Sequence, residues 1–127
     1  MRMSKLLWTV VPILLVSCST DRSSYEAVIY TSAAELYAAY DANELDADAR
    51  FKGRLLRVSG TVTSIGKEIL GAPYLTLGVG EQMAHVQCVF SRQDTASLAA
   101  LRKGMKVTIT CKCAGKLLNV ILKDCTW

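Results

Sequence analysis

The stretch LLRVSGTVTSI, residues 55–65, determines the fold class because its apolar and polar side chains alternate. A period of two is typical of a β-strand with one buried face. The inward set is Leu56, Val58, Gly60 and Val62, and the outward set is Arg57, Ser59, Thr61 and Thr63. A glycine inside the strand would permit a sharp bend, so that one long strand could serve two sheet edges.

Four further strands are predicted downstream of this one. They read PYLTLGV at 73–79, AHVQCVF at 84–90, MKVTITCKC at 105–113 and LLNVILKDC at 117–125, and the last two are joined at 114–116. A helix is predicted at 91–104, with Leu98 and Leu101 on its apolar side and Gly104 at its end. Three strands, a helix and two strands, with a bent first strand, are what a five-stranded, partly open Greek-key barrel requires. We therefore predict a mainly-β OB-fold.

A helical lead-in is predicted before the barrel. Ser32, with Glu35 three residues later, fits a capping box, and Asn43 would cap a second helical segment that ends at Lys52-Gly53. The alternation within the strands predicts a buried core made of Val58, Val62, Leu75, Leu77, Val86, Phe90, Val107 and Ile109.

The N-terminus reads as an export signal. Basic residues at 2 and 5 precede an apolar run at 6–16, which is too short to span a bilayer. The run ends in Leu15-Val16-Ser17-Cys18, which resembles the bacterial lipobox. The resemblance implies a signal peptide at 1–17, acylation of Cys18, and a tether at 18–30 before a domain at 31–127. Ser19, in place of the aspartate that retains lipoproteins at the inner membrane, favours the periplasmic face of the outer membrane in a Gram-negative host. The alternatives are a plain signal peptide with an incidental cysteine, or an N-terminal anchor.

Charge is distributed unevenly along the chain. Residues 18–50 hold two basic and seven acidic side chains, whereas residues 51–127 hold eleven basic and four acidic ones. The simpler interpretation is intramolecular, with an acidic helix beside a basic barrel. The alternative is a site for a polyanion.

The sequence also resembles a known family. Five segments carry the resemblance: RFKGRLLRVSGTVTSI, PYLTL, VQCVF, LRKGMKVTITCKCAG and NVILKDC. They are similar to segments of small OB-fold proteins named after the tRNA-anticodon-binding domain, the tRNA_anti-like proteins. The resemblance covers roughly residues 33–125, and many members are exported lipoproteins with a helical lead-in. Cys111 stands where the family pattern usually has glycine. The family name records a fold relationship and does not imply tRNA binding.

Four cysteines remain beyond Cys18, and an exported chain permits disulfides. Cys111 and Cys113 lie on the same face of one strand, roughly 6.5–7 Å apart, too far for a bridge. Cys88 and Cys125 end two strands that are parallel neighbours in this barrel, so a Cys88–Cys125 bridge is geometrically attractive. The family pattern also has a cysteine at the position of Cys113, which implies a rival with Cys88–Cys113 and Cys111–Cys125.

The outward face of the first three strands is where OB-folds bind ligands. Its candidate binding residues are Arg57, Thr61, Tyr74, His85 and Gln87, and the loops at 64–73 and 114–117 would add Lys67 and Lys116 at the rim. One aromatic residue on this face is few for single-stranded nucleic acid, which stacks its bases on aromatic rings. A hydroxyl-rich face favours a protein or polar glycan partner, and the alternative is an ordinary solvated surface. A short barrel filled by its own side chains leaves little room for a buried ligand, so we expect no small cofactor.

Catalytic and metal-binding arrangements are not predicted. His85 and Cys88 are three residues apart on a strand and so face opposite sides, and C-x-C is not the redox spacing C-x-x-C. Asp46 and Asp48 are interpreted as solvated surface charge. We expect a lipid-anchored, non-enzymatic binding module. The alternatives are a nucleic-acid-binding lipoprotein and a thiol-active envelope enzyme.

Overall fold

The structure is a computed structural model that describes residues 27–80 and 84–127. The predicted signal peptide, Cys18 and most of the predicted tether lie outside the described residues.

The described chain contains six strands and three α-helices. They are β1 (Ile29–Ser32), α1 (Ala33–Ala42), α2 (Glu44–Phe51), β2 (Leu55–Lys67), β3 (Pro73–Gly78), β4 (His85–Phe90), α3 (Thr95–Ala99), β5 (Lys106–Lys116) and β6 (Val120–Thr126), with a short 3₁₀ helix at Arg92–Asp94. No helix among these residues is long and apolar enough to cross a membrane.

Strands β2 to β6 close into a barrel in the order β2-β3-β4-β6-β5, and β5 pairs back onto β2. All neighbouring pairs are antiparallel except β4 and β6, which are parallel. This arrangement confirms the predicted five-stranded OB-fold with its helical lead-in.

The bend in β2 lies where the sequence predicted it. Residues 55–61 pair with β5 and residues 61–67 with β3, so Thr61 lies opposite both Lys106 and Gly78. A Cβ atom on Gly60 would lie 3.1 Å from the Leu77 Cβ and 3.2 Å from the Ala33 Cβ. Glycine therefore lets β3 and α1 approach the strand closely at the point where it changes partner.

Strand β1 was not predicted. Its four residues pair in parallel with the first half of β2, from Ile29 opposite Leu56 to Ser32 opposite Ser59. The folded domain therefore begins by Ile29, inside the segment assigned to the tether. A four-residue strand has too short a pattern to be recognised locally, and its partner lies 27 residues further along the chain.

The helix caps agree with the prediction. The Ser32 side chain accepts a hydrogen bond from the Glu35 N–H, and the Glu35 carboxylate accepts one from the Ser32 N–H. Asn43 caps α2 by accepting from the Asp46 N–H. The residue that follows the C-cap of α2, Gly53, has φ +80°, a conformation that favours glycine.

The predicted core is buried at seven of its eight positions, and the eighth, Val107, is half-buried. The lead-in contributes to this core through its apolar face, in particular Leu36, Tyr40 and Phe51. Phe90 packs against Trp127 with ring centroids 5.0 Å apart. Helices and barrel therefore form one hydrophobic unit.

Two connections differ from the prediction. The predicted helix at 91–104 is only a 3₁₀ turn followed by the five residues of α3. The chain leaves the helix early because Gly104 and Met105 exchange backbone hydrogen bonds with Val62 of β2. The turn between β5 and β6 was predicted at 114–116 but lies after Lys116. Gly115, with φ +98°, lies within β5 and marks an irregularity in its register with β6.

Charge pairing between lead-in and barrel is not seen among the described residues. Their one ion pair joins Arg50 to Asp46 at 3.7 Å, within α2. Asp48 is half-buried and accepts a hydrogen bond of 2.8 Å from the Tyr40 hydroxyl, so the interpretation as solvated charge holds for Asp46 only. Helix α2 thus lies beside β5, as the intramolecular interpretation expects, but no ion pair joins the described residues of the two elements.

Candidate binding groove

Three of the predicted binding residues meet in a groove beside the β2–β3 hairpin. The groove has a volume of about 530 Å³ and lies between the hairpin tip and the outward side of β3 and β4. Its lining residues are Lys67, Glu68, Ile69, Leu70, Tyr74 and Gln87.

Tyr74 is positioned by the glycine opposite it. Gly66 pairs with Tyr74 across β2 and β3, and a Cβ atom on Gly66 would lie 2.8 Å from the tyrosine hydroxyl oxygen. The ring therefore lies over the bare backbone of β2, which holds a half-exposed aromatic side chain at the groove wall. Any larger residue at position 66 would displace it.

The hairpin loop is tied to the rest of the barrel by polar contacts. Gln87 on β4 donates to the Glu68 carboxylate at 3.3 Å, and the Arg92 guanidinium donates to the Leu70 carbonyl. The Gly71 N–H bonds the Glu68 carbonyl within the loop at 2.8 Å. The groove is therefore formed in the protein alone and does not have to be ordered by a ligand.

The hairpin tip carries two exposed apolar side chains. Ile69 is fully exposed and Leu70 is 79% exposed. Adjacent exposed apolar residues beside an aromatic wall are typical of an interaction site. Sequence reasoning missed this pair, although two apolar residues inside the otherwise polar loop KEILGA were the available signal.

A cluster of hydroxyl groups continues along the same outward face. A register shift between Val62 and Ser64 places both Thr63 and Ser64 next to Thr76 of β3. The hydroxyls of Thr63 and Ser64 lie 2.8 and 2.6 Å from the Thr76 hydroxyl. The His85 Nδ1 lies 3.5 Å from the Thr63 hydroxyl. Because these groups form hydrogen bonds with one another, they rigidify the face and are less suited to binding a ligand.

The other predicted binding residues lie elsewhere. Arg57 is on the first half of β2, where its neighbours are β1 and β5, and it donates to the Thr110 hydroxyl at 2.6 Å. Thr61 lies at the bend of β2. Lys116 lies over the Tyr37 ring, 5.4 Å from its centroid, on the side of the helical lead-in. The bend at Gly60 and the late hairpin turn thus divide the predicted surface into separate regions.

The disulfide differs from the pairing that geometry favoured. Cys111 is bonded to Cys125, as in the rival pairing, but the Cys88–Cys113 bridge of that rival is absent, and both of these cysteines are free and buried. In the parallel pair of β4 and β6, Cys88 lies opposite Leu122, and Phe90 is the residue level with Cys125. Asp124 has φ +53°, and this interruption turns Cys125 inward toward Cys111 on β5.

The free Cys88 thiol lies beside this disulfide. The sulfur atoms of Cys88, Cys111 and Cys125 are all within 4.8 Å of one another. Burial raises the pKa of the Cys88 thiol to about 12, so it stays protonated and a poor nucleophile at neutral pH. In the oxidised protein this cluster offers one thiol, since disulfide sulfurs are not thiolate ligands.

The second free cysteine, Cys113, belongs to a different contact. Its sulfur lies 3.5 Å from the hydroxyl of buried Tyr40. Burial, together with the hydrogen bonds to Cys113 and Asp48, raises the pKa of Tyr40 well above its ordinary value. This arrangement anchors the helical lead-in to the barrel.

The barrel and its N-terminal helices together define an OB-fold domain with a helical lead-in. The chain belongs to the tRNA_anti-like family, whose model matches residues 3–126. Its fold is similar to the crystal structure of a proposed nucleic acid-binding lipoprotein from Klebsiella pneumoniae subsp. pneumoniae MGH 78578. The two are 20% identical with a TM-score of 0.63, and the similarity covers 77% of this chain and 90% of the other. No curated protein matches the chain.

Proposed function

We propose that this protein is a lipid-anchored OB-fold binding module of the cell envelope that holds a protein partner in the groove beside the β2–β3 hairpin. It acts by binding and not by catalysis. The observation that carries this proposal is the groove itself, in which an aromatic wall, two exposed apolar residues and a rim of both charges come together.

The composition of the groove favours a protein over the other ligands. Tyrosine is among the residues that dominate protein–protein binding energy, and Tyr74 lines the groove together with the exposed side chains of Ile69 and Leu70. Lys67 and Glu68 at the rim offer both signs of charge, which suits a polypeptide better than a chain of phosphates. A polar glycan is the lesser alternative, because the groove presents one aromatic ring.

Anchoring rests on the sequence Leu15-Val16-Ser17-Cys18, which resembles a lipobox behind a signal peptide. Acylation at Cys18 would leave the folded domain, which begins by Ile29, on a short tether at the membrane surface. We place the protein at the periplasmic face of the outer membrane in a Gram-negative host.

Nucleic-acid binding is the second candidate, on a different face. The outward side of β2, β5 and β6 carries four basic residues that form no ion pair with a described residue. They are Arg57, Lys106, Lys112 and Lys123. Tyr30, which is 77% exposed, lies opposite Arg57 and adds an aromatic ring to this basic face. The likeness to a lipoprotein proposed to bind nucleic acid supports the same candidate.

Two paired variants separate the candidates. Tyr74→Ala with Leu70→Ala removes the groove wall, and Tyr30→Ala with Arg57→Ala removes the centre of the basic face. Acylated protein would be used to capture detergent-solubilised envelope proteins, and its affinity for fluorescent single-stranded DNA would be titrated with salt.

We expect the groove variant alone to lose a captured protein, with little DNA binding by the wild type even at low salt, where phosphate contacts are strongest. Strong salt-dependent DNA binding that only the basic-face variant loses would instead favour the second candidate. A captured protein retained by the groove variant would contradict the proposed site.

A further inference from the structure

A second apolar tip lies at the β5–β6 hairpin. Leu117 and Leu118 are 83% and 86% exposed, and they follow Lys116 in a turn closed by a hydrogen bond from the Leu117 N–H to the Asn119 carbonyl. The proposed partner groove does not use this tip. Two neighbouring leucines at the end of a rigid hairpin expose apolar surface that water solvates poorly.

The hairpin tip and the chain that enters β1 leave the barrel at the same end. Strand β1 runs parallel to β2 and starts with Ile29 opposite Leu56, so the preceding chain comes from the end where β2 begins. Strand β5 runs antiparallel to β2, with Lys112 opposite Leu55, and continues beyond that point to Lys116. The tip at Ile69 and Leu70 follows the other end of β2.

The length of the tether limits how far this end can be from the lipid. Eight residues, 19–26, separate Cys18 from Ala27, the first described residue. A fully extended chain spans at most about 3.3–3.6 Å per residue, so this end stays within roughly 30 Å of the acylated cysteine. The β5–β6 tip therefore lies at the end of the domain to which the tether is attached.

The charges near this end suit phospholipid headgroups. Lys112 and Lys123 lie directly opposite each other on β5 and β6, a like-charge pair that is destabilising unless an anion lies nearby. No described carboxylate lies within 4.0 Å of either lysine. Lys116 adds a third cation next to the two leucines.

Helix α2 brings acidic residues into the same region, but most are engaged within the protein. Asp46 pairs with Arg50, and Asp48 accepts the hydrogen bond from Tyr40 and lies 3.4 Å from the Cβ position of Gly115. Of the three acidic residues of α2, Glu44 alone has no such partner among the described residues.

We propose that the β5–β6 hairpin tip docks on the phospholipid surface of the membrane that carries the anchor. Leu117 and Leu118 enter the interfacial region, and Lys112, Lys116 and Lys123 contact headgroup phosphates. The proposal rests on the lipid-anchoring part of the proposed function. It orients the domain so that the groove beside the β2–β3 hairpin points away from the membrane, toward a partner.

The test uses the acylated protein in vesicles of zwitterionic and anionic phospholipids. A tryptophan is introduced as Leu117→Trp in a Trp127→Phe background, and the matched control is Ile69→Trp at the opposite tip in the same background. Emission is recorded with and without brominated lipids, which quench tryptophan only where it enters the bilayer. Mass spectrometry confirms the acyl chains and circular dichroism the fold.

We expect the emission of the position-117 variant to shift to shorter wavelength and to lose intensity in brominated vesicles, while the position-69 control keeps both. Adding Leu118→Asp to the position-117 variant should reverse the shift. Acylated, vesicle-bound protein with no quenching at 117, or with equal quenching at both tips, would overturn the docking alone. A mature protein without acyl chains would overturn the anchoring and the docking together.

Discussion

Reducing the Cys111–Cys125 disulfide should destabilise the domain by an amount that the structure sets. The bridge joins residues 14 positions apart, and a loop of this size contributes about 3 kcal/mol on the chain-entropy model. Both cysteines are buried, so separating the two thiols inside the core adds a packing cost to the loss of the crosslink. In a marginally stable domain this loss is a large share of the total.

The assay is urea unfolding of the oxidised protein and of the protein reduced under the same conditions. With the denaturant dependence usual for small domains, a loss of about 3 kcal/mol lowers the midpoint by about 1–3 M. The pairing itself can be read from a tryptic digest, because each cysteine of the barrel falls on its own peptide. The Cys111 and Cys125 peptides, VTITCK and DCTW, should be linked, whereas those of Cys88 and Cys113 should carry free thiols.

Cys88→Ala is the control, because it removes the neighbouring thiol and leaves the bridge intact. In this variant reduction should lower the midpoint by as much as in the wild type. A digest that links the Cys88 peptide to the Cys125 peptide would refute the reasoning. A reduced protein whose free energy of unfolding is within about 1 kcal/mol of the oxidised value would also refute it.

Three further predictions concern the core and its titration. Phe90→Ala should cost about 3–5 kcal/mol in urea unfolding, whereas Val89→Ala on the outward side of the same strand should cost less; equal losses would contradict the assignment of faces. Tyr40→Phe should cost about 1.5–3 kcal/mol, because it removes the hydroxyl that donates to Asp48, and an unchanged midpoint would show that this bond contributes nothing. The folded state raises the pKa of Cys88 from about 9 to about 12, so the stabilisation from its bound proton is complete below pH 9 and is lost as the pH rises toward 12. Cys88→Ala should flatten this decline when unfolding is measured across that pH range. An equally steep decline in the variant would show that Cys88 does not cause the loss of stability.

The barrel could be predicted because its signals are local. Residues 55–65 alternate over a whole strand, and Gly60 marks the bend that lets β2 change partner. The caps at Ser32 and Asn43 are equally local, since each depends on side chains within three residues. Such features need no knowledge of distant contacts.

The parts that could not be predicted depend on breaks in regular backbone. Gly115 reads as a turn in the sequence, but its positive φ marks an irregularity inside β5, and the hairpin tip lies further on. Asp124 interrupts the alternation of β6, so counting by two does not show that Cys125 faces Cys111. The position of Arg57, away from the groove, follows from the partner change at the bend, which alternation alone does not assign to a particular neighbour.

The central claim, that the groove beside the β2–β3 hairpin binds a protein, is tested most directly by site-specific crosslinking in intact cells. A photo-crosslinking residue would replace Leu70 at the groove, and the matched control would replace Leu45 on α2, which is similarly exposed at 83%. We predict a discrete adduct at position 70 that resists nuclease and is lost when Gly66→Ala displaces the Tyr74 ring. An adduct at position 45 with none at position 70, or a position-70 adduct that nuclease digests, would contradict the account.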